Sequence, residues 1–175
     1  APVAAETFVA GTLRIQRHGD HGRPVILIPG LASGAWVWDE TVAQLCDSYT
    51  VYVVTLAGFD GLPAPQGDES HIDRAAASLV ELMDSRHIER PVLIGHSLGG
   101  TLAIRLATIH ADRLAGVVAV DGLPVFPGFE RLDDAQRRAT AARVGMQMSQ
   151  ATAEQFQAMQ LGYMQTIGTI DPAIA

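Results

Sequence analysis

The chain has 175 residues, 48% of them apolar and 18% charged, which suits a globular domain with a real core and excludes a disordered one. A formal net charge of -7 excludes the basic surface that binding to a phosphate backbone requires, so nucleic acid is not an expected partner. A single cysteine, Cys46, rules out an internal disulfide, and no run approaches the roughly 18 apolar residues of a membrane span.

The opening Ala1-Pro2-Val3-Ala4-Ala5 is small and apolar, as at a mature N-terminus left by signal-peptide removal. A periplasmic or secreted location is therefore expected, with the cytoplasm as the alternative. Thr7–His18 is β-like, with a turn at Gly11. Pro24–Ile28 is a short, wholly apolar run stopped by Pro29-Gly30, the pattern of a strand buried on both faces. Trp36–Asp47 reads as a helix, in which Cys46 is a small buried side chain rather than a reactive thiol. Tyr49–Leu56 is a second β-rich run, and the Gly- and Pro-containing 57–68 segment is a loop. Ser70–His87 reads as a helix with Ser70 and Asp73 as candidate caps. Pro91–Ile94 is a third buried strand running into Gly95-His96-Ser97-Leu98-Gly99-Gly100. Leu102–His110 is a helix, and Leu114–Val120 a fourth strand ending at Asp121-Gly122.

Strands alternating with helices predict an α/β fold: a parallel, doubly wound sheet with crossover helices on both faces. Its ligand site belongs at the carboxyl ends of the strands. This core covers residues 1–124. Over 125–175 the pattern becomes helical only, at Asp133–Met148 and Thr152–Ile167, with Thr152 and Gln155 spaced for a capping box. Phe156, Met159, Tyr163 and Ile167 form an apolar stripe there. Four of the five methionines lie in this region, and Met146 and Met159 are candidate substrate contacts, since Met adapts to varied apolar ligands; ordinary packing is the alternative.

Ser97 is the candidate nucleophile. It sits between a strand and a helix, and the tight turn needed there crowds the positions two before and two after it, where Gly95 and Gly99 remove the clash. The turn lifts the hydroxyl above the sheet edge at a helix N-terminus, which favours developing negative charge. The alternative is a turn serine that only caps the helix. His96 is not the expected base, because neighbours on a tight turn point in different directions. Acyl transfer also needs two donors for the oxyanion. The N–H of Leu98 is one; the N–H of Leu31, in Pro29-Gly30-Leu31-Ala32-Ser33-Gly34, is the first choice for the other, and Ala32 the second.

Three segments together resemble the α/β-hydrolase fold superfamily. Ile28–Trp38 is similar to its HG-x-x-x-S-x-x-W loop, with Pro29 where His is commoner. Thr55–Gly61 looks like its D-x-x-G-x-G loop, and Ile94–Gly100 like its G-H-S-x-G-G elbow. The resemblance covers about residues 10–124, and the part beyond resembles the start of a helical cap. It implies a Ser-His-acid hydrolase that uses no cofactor or metal and acts on a small ester-like substrate through an acyl-serine. Amide or peptide, lactone and thioester hydrolysis are alternatives on the same machinery. A non-catalytic small-molecule-binding protein is an alternative of another class. Serine at the elbow excludes the alkyl-enzyme branch, whose epoxide hydrolases and haloalkane dehalogenases use aspartate there.

In the family the order is Ser, acid, His, the last near the end of a longer chain. Only His110 follows Ser97, at the far end of the elbow helix and about 20 Å away by helical rise. His18, His21 and His87 read as solvated surface residues, and His71 is the least implausible local substitute. Asp121, at the carboxyl edge of the fourth strand, is a candidate acid; a turn aspartate capping the next element is its alternative. The remaining strands, the histidine and, unless Asp121 serves, the acid are therefore expected on polypeptide outside these residues. One such arrangement is a C-terminal chain of the same precursor completing the fold, since cleavage favours exposed cap loops.

Overall fold

The computed structural model of the chain describes residues 4–67, 69–125 and 128–166. It divides into two compact units, Ala1–Pro124 and Val125–Ala175.

The first unit is a mixed sheet in the order β1-β2-β4-β3-β5-β6. Its strands are β1 (Glu6–Ala10), β2 (Leu13–His18), β3 (Pro24–Ile28), β4 (Thr50–Thr55), β5 (Val92–His96) and β6 (Gly116–Val120). β3 to β6 pair in parallel, as the alternation of strands and helices predicts. β1 and β2, the β-like segment that turns at Gly11, form a hairpin, and β2 joins β4 antiparallel. The cause is local. Ala10 pairs with Leu13, so only Gly11 and Thr12 connect the strands, and so short a link can join only antiparallel neighbours. Gly11 takes φ 55°, and Thr12 donates its N–H to Ser78 Oγ at 3.0 Å, pinning the turn to a helix.

Side-chain alternation along β3 and β4 builds a core on each face, which is why those strands read as unbroken apolar runs. On one face Ile26, Ile28 and Val54 pack with Leu79, Leu82 and Met83 of α2 (His71–Ser85) and Leu102 and Leu106 of α3 (Leu98–Ile109). On the other, Val25, Leu27, Val51 and Val53 pack with Trp38 and with Val42 of α1 (Asp39–Leu45). The helix expected from Trp36 opens instead as a 3-10 turn over Ala35–Trp38, which sinks Trp38 into the core and leaves Trp36 62% exposed. Cys46 is half-buried beside this second core. β6 is the edge strand opposite β1: Val118 and Val120 are 48% and 46% exposed.

His18 corrects a surface expectation. It is buried, because it is the last residue of β2 and pairs with Val51 of central β4. His21 is exposed as expected, yet held on both ring nitrogens, Nδ1 at 2.7 Å from Asp20 Oδ1 and Nε2 at 3.0 Å from the Asp47 carbonyl oxygen. Two acceptors favour the imidazolium: the Asp20 hydrogen bond and then the Asp47 carbonyl raise the His21 pKa, and the same imidazole lowers that of Asp20. The stabilising contribution of His21 is full below its unfolded pKa and is lost as pH rises through its raised folded value. That of Asp20 is lost as pH falls through its lowered value. An NMR titration should therefore place the His21 pKa above that of an unstructured peptide, and His21→Gln should weaken the fall in thermal stability between neutral and alkaline pH.

In the second unit, α4 (Asp134–Gln150) and α5 (Ala153–Thr166) each begin with a reciprocal cap. Asp133 and Gln136 exchange side-chain to N–H bonds of 2.8 and 3.1 Å, and Thr152 and Gln155, as expected, bonds of 3.2 and 2.9 Å. Met146 and Met159 are 60% and 46% exposed. Of the apolar stripe expected on α5, the side chains of Phe156 and Tyr163 and all of Ile167 lie outside the described residues. No described helix is long and apolar enough to cross a membrane.

Candidate active site

The candidate site forms where β3 and β5 end. β5 passes through Ser97 directly into α3, so the helix begins earlier than the expected Leu102. Ser97 takes φ 50° and ψ −115°, a conformation that costs an L-residue energy and that surrounding structure must enforce. Three backbone approaches enforce it. A Cβ on Gly95 would collide with the Gly99 carbonyl and stand 2.5 Å from the Gly100 nitrogen. One on Gly99 would collide with the Ile28 carbonyl and stand 2.6 Å from that of Pro29. Gly100 lies against Gly122, just past β6, where a Cβ would come within 2.8 Å of the Gly122 α-carbon. The Ser97 N–H donates to the Val120 carbonyl at 2.8 Å, and Thr101 Oγ1 to the Leu123 carbonyl at 2.8 Å. The end of β6 thus splints the turn.

Ser97 occupies the N-cap position of α3, but its side chain makes no capping bond. This bears against the alternative of a serine present only to cap. Leu98 is the first residue of α3, so its N–H has no acceptor within the helix. Gly30 faces the turn: a Cβ there would lie 3.3 Å from Ser97 Cβ and 3.1 Å from His96 Nδ1. From Gly30 the chain makes a tight turn, with Ser33 N–H donating to the Gly30 carbonyl at 3.3 Å and Ala32 at φ 57°. Leu31 lies within that turn, its side chain 56% exposed. The structure thus brings together the loops carrying Ser97, Leu98 and Leu31.

It places the other candidates less closely. Asp121 is exposed with φ 54°, one residue after the carbonyl that binds Ser97. His71 is exposed at the first position of α2, His87 is exposed beyond its end, and His110 follows the last residue of α3. Among the described residues, no side chain hydrogen-bonds the Ser97 hydroxyl, and no group of three or more His, Cys, Asp or Glu could hold a metal ion. Sequence reasoning missed the Gly100–Gly122 approach and the packing of Asp60 on Gly34. Doubled glycine after the elbow and Asp121-Gly122 after β6 were the available signals for the first. The second had no local signal.

A sequence model of the alpha/beta hydrolase family matches residues 25–166, and the chain belongs to that family. Epoxide hydrolase A of Mycobacterium tuberculosis is 33% identical over 118 residues, which are 66% of this chain and 36% of that protein. A fluoroacetate dehalogenase of a Burkholderia species is 32% identical over 125 residues, 69% of this chain and 41% of the relative. Among solved structures, the enol-lactonase of Burkholderia xenovorans matches with a TM-score of 0.58 at 28% identity, over 64% of this chain and 45% of that one. The chain spans less than half the length of these relatives.

Proposed function

We propose that this chain carries the nucleophile of a serine hydrolase that cleaves carboxylic esters through an acyl-enzyme on Ser97. The observation that carries the reading is the strained Ser97, whose side chain makes no capping bond, with the Gly30 loop lying close beside it. Strain of this kind persists only where the fold is built to hold it. The Ser97 hydroxyl adds to the carbonyl carbon and its proton passes to a base. The oxyanion takes hydrogen bonds from Leu98 and Leu31 N–H, the alcohol leaves with a proton, and water then releases the acid. An attacking hydroxyl forms an acyl ester, unlike the aspartate of the alkyl-enzyme branch. The likeness to an enol-lactonase supports ester or lactone carbonyls as substrates. Exposed Leu31 and Leu123 on the carboxyl-end loops, with exposed Trp36 in the 3-10 turn after β3, favour an apolar substrate group.

The base, and the acid unless Asp121 supplies it, belong to polypeptide beyond these residues. The outer edge of β6, which pairs with no strand among the described residues, and exposed Val118 and Val120 support a sheet that continues there. Intact-mass measurement of the purified protein should find the chain longer than 18.6 kDa or accompanied by a second polypeptide; an active, unaccompanied 18.6 kDa species refutes this part. A fluorophosphonate tests the chemistry. With the full complement of chains present, it should phosphonylate Ser97 and leave Ser97→Ala unmodified. A protein that stays silent under those conditions sinks the serine reading.

A further inference from the structure

Asp60, in the loop after β4, holds a left-handed backbone at φ 48°. Its carboxylate lies against Gly34, in the loop after β3: a Cβ on Gly34 would stand 2.5 Å from Asp60 Cγ and 2.6 Å from Oδ2. Arg14 pairs with Thr55 across the β2–β4 ladder and reaches over the end of β4. One of its guanidinium nitrogens donates both to Asp60 Oδ2 at 2.6 Å and to the Asp60 carbonyl at 3.0 Å. Bonds to the side chain and the main chain of one residue fix the carboxylate relative to its own backbone, and charge-assisted bonds of this kind are the directional ones.

Gly34 closes the loop that Gly30 opens. That loop therefore lies close against Ser97 and His96 at its Gly30 end, and against Asp60 at its Gly34 end. We propose that Arg14 and Asp60 form a clamp that fixes the Gly30–Gly34 loop and so aims the Leu31 N–H, making both of them positioning residues for the oxyanion site. The proposal rests on the reading of Ser97 and Leu31 given above. Arg14 and Asp60 are 29% and 38% exposed, so the pair adds little to global stability; its effect is local to the loop. It also accounts for an arginine at the start of β2, an element otherwise remote from the chemistry. Asp60 tolerates the left-handed region that most side chains avoid, and a side chain in the place of Gly34 would displace the Asp60 carboxylate.

The test is hydrogen exchange at the Leu31 and Ala32 amides, read in the purified protein with any polypeptide that accompanies it. Arg14→Met and Asp60→Asn should each speed exchange there about three- to tenfold, and the double variant no more than either, because one interaction is lost once. Asparagine keeps both the left-handed tolerance and the bulk against Gly34, so the second variant isolates the charge. Saturating fluorophosphonate should label both variants several-fold more slowly at an unchanged half-saturating concentration, and Arg14→Lys should recover most of the loss. Unchanged exchange overturns the clamp. Faster exchange with an unchanged maximal labelling rate overturns its role in aiming Leu31. If the wild-type protein is not labelled at all, the serine reading fails by itself, and the exchange comparison still decides the clamp.

Discussion

Ser97→Gly should stabilise the folded chain by about 1–3 kcal/mol while abolishing its reactivity towards fluorophosphonate. Serine at φ 50° and ψ −115° brings its Cβ into conflict with its own backbone, whereas glycine occupies this mirror-β region freely. The substitution gives up little in exchange, because the hydroxyl makes no capping bond. Ser97→Ala keeps the Cβ, and with it the strain, so its stability should stay close to wild type even though it too is unreactive. Urea denaturation with a constant slope checks both. A glycine variant less stable than the alanine variant would show that the turn is not strained, and would remove the main argument for Ser97 as more than a turn residue.

The glycines around Ser97 should be as intolerant as Ser97 is strained. Gly99→Ala should cost about 3 kcal/mol or more, because its methyl meets the carbonyl oxygens of Ile28, at the end of central β3, and of Pro29 directly after it. Flexible side chains can swing aside; these backbone atoms cannot. The same change at Gly145, inside α4 with nothing within 4 Å, should instead be neutral or stabilise by about 0.5–1 kcal/mol through helix propensity. Denaturation midpoints of the two variants measure the contrast directly. Equal effects would mean that the close approach at Gly99 does not hold in solution.

What could be read from the sequence follows from which interactions are local. The buried runs Pro24–Ile28 and Pro91–Ile94 announce parallel strands because both of their faces are covered, and Thr152 with Gln155 announces a cap because its two bonds span one turn. The elbow was legible for the same reason: Gly95 and Gly99 answer a clash confined to a few residues. The hairpin direction was less so, since Thr7–His18 shows β character without showing which strand it meets. His18 failed as a surface residue because its burial is decided by Val51, across the sheet. The Arg14–Asp60 pair joins residues far apart in sequence, and Gly34 gives no sign by itself of what presses on it.

The proposed chemistry requires an acyl-enzyme at Ser97. The direct measurement is the mass of the protein quenched during turnover of an activated ester such as a p-nitrophenyl acyl ester, followed by peptide mapping. A transient gain of the acyl mass on the peptide containing Ser97, absent from Ser97→Ala, is the expected result. Sustained turnover with the acyl group on another residue, or with no covalent species in a variant slowed at deacylation, would contradict it.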